Sequence, residues 1–168
     1  MAVLTAVDGE SIPSNPVREG QLLADRFEEP HVVLHVMPQD VFEEFRGSTG
    51  SGGAPFASSA SYGEGDGAVG GGRGGEYTVE DAERHARGVA RDVVEGTFDD
   101  ADDRALVIQG RVGDPVAEIL AEADRRDARY LVIGGRKRTP VGKALFGSTT
   151  QSILLDAEQP VLTVMSET

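Results

Sequence analysis

Residues Tyr130 to Thr150 read YLVIGGRKRTPVGKALFGSTT, and three pieces follow one another in them. Tyr130 to Ile133 is apolar and β-prone, the end of a buried strand. Gly134 to Phe146 holds three glycines, a proline and a cluster of positive charge. Gly147-Ser148 then opens a segment that reads as a helix start. A strand that ends in glycines and passes to a helix N-terminus is suited to hold a phosphate. The first backbone N–H groups of the helix lack intrahelical partners, and the helix dipole is positive at that end. Charge agrees with this reading. The chain has only two lysines, Lys137 and Lys143, and both lie here with Arg136 and Arg138. No acidic residue falls between Arg136 and Ser152.

That basic loop sits in an acidic chain. The 168 residues include 29 Asp and Glu against 16 Lys and Arg, a net charge of −13. The length suits one domain with a full core. An acidic, lysine-poor surface suits a protein working in high salt, because hydrated carboxylates keep the chain soluble. The same charge argues against a broad nucleic-acid surface, which would be basic. With no cysteine there is no disulfide, thiolate nucleophile or thiolate metal site. No signal peptide and no apolar run near 18 residues is evident, which predicts a cytosolic protein that does not span a membrane.

Outward from the quoted stretch, strands and helices alternate. Ala2 to Val7 is a buried strand ending in the turn Asp8-Gly9. Ser14-Asn15-Pro16 starts a helix with Val17, Leu22, Leu23, Ala24 and Phe27 on its apolar face, closed by Pro30. His31 to Met37 is the second strand, and Asp40 to Arg46 predicts a short helical turn. Residues 47–75 carry 12 of the 22 glycines and predict a flexible Gly/Ser-rich insertion. Thr78 caps a helix in which Val79, Ala82, Ala86, Val89, Ala90 and Val93 recur at helical spacing. Arg104 to Gly110 is the third strand, and Asp114-Pro115 opens a helix with Val116, Ile119, Leu120 and Ala123 inward. Ala128 to Ile133 is the fourth strand, Ser148 to Ala157 the last helix, and Pro160 to Met165 the fifth strand.

This βαβαβαβαβ order, with nearly continuous apolar strands, predicts an α/β fold. It is a single, doubly wound, five-stranded parallel sheet with helices on both faces and right-handed crossovers. Ligands of such sheets sit beyond the carboxyl ends of the strands, where strand order reverses. Asp8 follows the first strand and the Gly134 loop follows the fourth. If these strands are neighbours, an acidic side chain and a phosphate-binding loop flank one crevice. Asp8 also reads as a simple turn-forming aspartate, and Ser148 as a helix N-cap. His31, His35 and His85 show no metal-ligand spacing, and His35 reads as a satisfied core histidine. Ser148 lies in no Gly-x-Ser-x-Gly elbow, and Gly142-Lys143 lacks the rest of a Walker A loop.

The whole chain resembles the universal stress proteins, the UspA-like domains. The resemblance is carried by VLTAVDG, LHVMP, GDPVAEIL and LVIGGRKRTPVGKALFGSTTQSILLDAEQPVLTV. Nucleotide-binding members have a loop of the form Gly-x2-Gly-x9-Gly-Ser/Thr. Gly134 begins it here, Gly147-Ser148 ends it, and Lys137 stands where the second glycine would be. The resemblance implies an ATP site with Asp8 at the ribose and Val36 beside the adenine. Ile133-Gly134 would lie at the strand end, with Gly147, Ser148 and Thr149 on the phosphates and Mg²⁺ accompanying the nucleotide. Lys137 either removes a close backbone contact or reaches a phosphate as a point charge. A cytosolic regulatory module is implied, homodimeric through Val161 to Val164. A protein-interaction module without nucleotide and a slow ATPase are the other two readings.

Overall fold

The computed structural model describes residues 1–48, 76–100, 106–136 and 146–166. Five strands form one sheet: β1 Ala2–Ala6, β2 His31–Pro38, β3 Leu106–Gly113, β4 Ala128–Arg136 and β5 Val161–Ser166. All pairings are parallel, in the order β3-β2-β1-β4-β5. The first strand is therefore central, and β1 and β4 are neighbours. Alternate residues of β1, β2 and β4 feed two cores. Leu4, Val32, Leu34 and Leu131 pack on one face, against Ile119 and Ala123 of α4 (Pro115–Arg125) and Ile153 of α5 (Ser148–Asp156). Val3, Val33 and Val132 pack on the other, against Val17 and Ala24 of α1 (Asn15–Phe27) and Ala90 and Val93 of α3 (Val79–Glu95).

Caps written in the sequence set the helix starts. Ser14 accepts from the Val17 amide, Asp114 from the Ala117 amide, and Thr78 with Asp81 forms a reciprocal capping box. The segment expected as a short turn is a ten-residue helix, α2 (Gln39–Ser48). Its Phe42 and Phe45 pack on Tyr77, and they extend the core over Met37. Gly47 and Ser48 thus belong to a helix, whereas residues 49–75 of the expected insertion lie outside the described residues.

Further expectations need correction, among them the fourth strand, which runs past Ile133 to Arg136 in pairing with β5. The third strand continues past Gly110 to Gly113, pairing with β2 through Pro38↔Gly113. Gly110 is there because α3 lies directly on the sheet. A Cβ would overlap Glu83 O and Arg87 N and stand 2.9 Å from the Ala86 carbonyl carbon. On α1, Leu22 is 62% exposed and Phe27 stacks on Tyr130 at the margin, so neither belongs to the inner core. Val79 is likewise exposed. The buried face of α1 instead carries Gly20 and Gln21. The reason is His31, fully buried on β2, whose Nδ1 lies 3.0 Å from Gln21 Oε1 and Nε2 2.8 Å from Thr5 Oγ1. Gly20 leaves room for that ring: a Cβ there would stand 2.6 Å from His31 Nε2. Burial pushes the His31 pKa down to about 4, so the ring is neutral.

A buried carboxylate also escaped sequence reading. Glu122 on α4 is fully buried and holds Arg126 at 2.8 Å, Arg111 of β3 at 3.2 Å, and Arg125. Burial alone would raise its pKa. Hydrogen bonds from Arg126 and Arg111 overcome this and hold the carboxyl below its ordinary value.

Candidate functional site

At the carboxyl end of β1 the chain leaves the sheet in a tight turn. Gly9 takes φ 82°, and Asp8 Oδ1 accepts from the amides of Glu10 at 2.9 Å and Ser11 at 3.2 Å. The turn-forming role expected of Asp8 is therefore real. Its side chain also lines a cavity of about 510 Å³, within the range of small-molecule sites.

The cavity opens where β1, β2 and β4 end. Ala6 to Asp8 contribute from β1 and its turn, His35 and Val36 from β2, and Ile133 to Gly135 from β4. Helix α4 adds Pro115 and Ile119, and α5 adds Ile153 with the run Gly147 to Thr150. Val36, Ile119, Ile133 and Ile153 give it an apolar floor, while Asp8, Glu10, Ser148 and Thr149 stand at polar positions. This is the crevice at which strand order reverses about β1 and β4.

The start of α5 corrects an expectation. Gly147 is the N-cap and Ser148 is the first helical residue. No side chain caps this helix, in contrast to α1, α3 and α4. The glycine is not demanded by the protein's own packing. Its φ and ψ are −62° and 159°, open to any residue, and among the described residues an added Cβ meets nothing within 4 Å. Thr150 Oγ1 donates to Gly134 O at 3.2 Å and ties the first turn of α5 to the end of β4. The first turn of α5 thus lines the cavity with two exposed hydroxyl residues, Ser148 and Thr149. That arrangement suits an anion.

His35 lines the opposite part of the cavity and is 5% exposed. Its Nδ1 lies 2.8 Å from Val7 O, so it is the satisfied histidine the sequence suggested. Burial lowers its pKa, against the opposing influence of the Val7 carbonyl and the Asp8 charge.

Of the eight residues singled out by resemblance, Asp8, Val36, Ile133, Gly134, Gly147, Ser148 and Thr149 line this one cavity. Lys137 lies outside the described residues. Sequence reading did not single out Pro115, Ile119, Thr150 or Ile153. The polar run GSTT was the available signal for Thr150; the others read only as helix-core or helix-start residues. Among the described residues, no group of three or more His, Asp or Glu stands together as a metal site. Nor is any helix there long and apolar enough to cross a membrane.

A parallel α/β sheet with a cavity at its strand-order reversal, walled by a helix start, is the arrangement in which α/β domains commonly hold small molecules. Residues 1–165 match the model of the universal stress protein family, and the chain belongs to that family. A universal stress protein of Mycolicibacterium smegmatis is 51% identical over 51 residues, covering 30% of this chain and 39% of that relative. A universal stress protein structure from Archaeoglobus fulgidus superposes with TM-score 0.57 at 24% identity, covering 97% of both chains. Two other universal stress protein structures superpose with TM-score 0.52. One, in complex with cAMP, is 17% identical and covers 98% of this chain and 96% of its own. The other, from Archaeoglobus fulgidus in complex with dAMP, is 18% identical over 97% and 96%.

Proposed function

We propose that the chain is a regulatory module that binds ATP, or a related adenine nucleotide, in the cavity at the ends of β1, β2 and β4. The observation that carries the reading is the glycine N-cap of α5. Among the described residues neither backbone strain nor packing calls for a glycine at 147, and a closely approaching phosphate would. The adenine would rest on the apolar floor beside Val36, and the ribose hydroxyls would donate to Asp8. The phosphates would take the amides of Gly147, Ser148 and Thr149 and the hydroxyls of the last two, past Ile133-Gly134 near the carboxyl end of β4. Lys137 supplies a positive charge to the same loop, and Asp8 is the carboxylate that would hold Mg²⁺ arriving with the nucleotide. Universal stress proteins of this fold occur in complex with cAMP and dAMP, which supports adenine nucleotide as the ligand class.

In this reading the module is cytosolic and acts in the stress response of a salt-adapted cell. It pairs through the edge strand β5, Val161 to Val164. Hydrolysis is at most slow. A second reading has one observation in its favour: Asp8 Oδ1 already serves two turn amides. The fold would then be an interaction module without nucleotide. Titration calorimetry of the full chain in high salt, with ATP, AMP and cAMP, decides between them. Saturable binding of any of the three supports the first reading. No heat at millimolar nucleotide removes it.

A further inference from the structure

The residue before Asp8 is held in an unusual way. The β1–β2 pairing ends at Ala6↔Leu34, and Val7 N still donates to Leu34 O at 2.9 Å. One residue on, the His35 side chain takes over and Nδ1 meets Val7 O at 2.8 Å. Val7 is thus gripped at both ends of its backbone by β2. The next peptide carries Asp8 into its turn, where Gly9 and the amides of Glu10 and Ser11 fix the rest. The ring has little freedom to do otherwise. It is almost fully buried, and its register partner is Gly110, the point at which α3 lies on the sheet.

We infer that His35 is a positioning residue for the sugar end of the site: its Nδ1–H holds the Val7 carbonyl and so sets the peptide from which Asp8 enters the cavity. This rests on the reading of the cavity as a nucleotide site. Nδ1 must carry the proton, because a carbonyl oxygen only accepts. The neutral ring that burial favours is compatible with that tautomer. His35 touches no ligand in this scheme and acts through Asp8.

Asparagine and leucine have nearly the same shape, and only asparagine keeps a donor in the place of Nδ1. His35→Leu should weaken ATP binding about tenfold, the equilibrium weight of one lost hydrogen bond. His35→Asn should stay within about threefold of wild type, because the bond is kept. In an Asp8→Ala background the two variants should bind alike, since the residue through which His35 acts is gone. Equal weakening by Leu and Asn overturns the inference, as does a Leu effect that persists without Asp8. Nitrogen-15 NMR of the nucleotide-free protein gives an independent readout. Protonated Nδ1, with an Asp8 amide shift that moves in His35→Leu and stays in His35→Asn, supports the inference. An Nε2–H tautomer overturns it. A wild type that binds no adenine nucleotide overturns the nucleotide half together with the function proposed above, and the NMR result still decides whether His35 holds the turn.

Discussion

Replacing Gly147 by valine separates what the site does from what the fold needs. The backbone there, φ −62° and ψ 159°, is ordinary for a β-branched residue, and the new Cβ meets none of the described residues within 4 Å. As an N-cap, glycine is somewhat better than valine, so the stability cost is about 1 kcal/mol or less. For a domain of this size that lowers Tm by about 2–4 °C at most. A bound phosphate would feel the change differently. If the branched side chain keeps it from two first-turn amides, two charge-assisted hydrogen bonds at about 1.5–3 kcal/mol each are lost. The Kd for ATP then rises by about a hundredfold or more. Calorimetric titration with ATP, beside thermal melts of the same samples, reads both quantities. Unchanged affinity with an intact melt would refute the argument, because the phosphate would then not approach this backbone. Loss of affinity matched by a large drop in Tm would refute it too, because the glycine would then serve the fold.

Two further outcomes follow from the interior. Gly110→Ala forces a methyl against the α3 backbone, which no rotamer can relieve, so stability should fall by about 1–3 kcal/mol in urea melts; an unchanged midpoint would show that α3 can lift without penalty. His31 has a folded pKa of about 4 against an ordinary 6.5. In that interval the unfolded chain binds a proton that the folded one refuses. Stability is thus complete above pH 6.5 and declines as pH falls toward 4, by about 3 kcal/mol over the whole interval. Urea melts at pH 7 and 4.5, wild type beside His31→Gln, test this; an equal acid loss in both proteins would assign it elsewhere.

The strands and most helix starts were legible because they rest on local chemistry. Buried parallel strands read as apolar runs, and Ser14, Thr78 and Asp114 announce their helices. The misreadings share one cause: they depend on what an element meets across the fold. Gly110 looked like the end of a strand, yet it is where a helix backbone comes closest. Leu22 looked more buried than Gln21, yet a buried histidine needed the glutamine. Glu122 drew no reading from the sequence, although Arg125 and Arg126 three and four residues on were a usable hint. In the site, strand ends and loop spacing pointed to seven residues that line one cavity. That Gly147 rather than Ser148 is the N-cap of α5, and that His35 grips Val7, are facts of three-dimensional contact.

The stacking of Phe45 on Tyr77, with ring centroids 5.4 Å apart, has a consequence for how this gene can change. The two rings stand on either side of residues 49–75 and bring the flanking chain together, helped by Arg46 and Glu76 at 4.0 Å. Residues 48 and 76, the last and first described on either side, are thereby held near each other. Closing a connection twice as long costs only about 0.6 kcal/mol more, so its length is nearly neutral for folding once the aromatic clasp is present. A change in the length of this interval therefore adds little to the closure cost of joining its two ends. The same clasp offers an engineering port, where a reporter or second domain can be spliced in without disturbing the sheet.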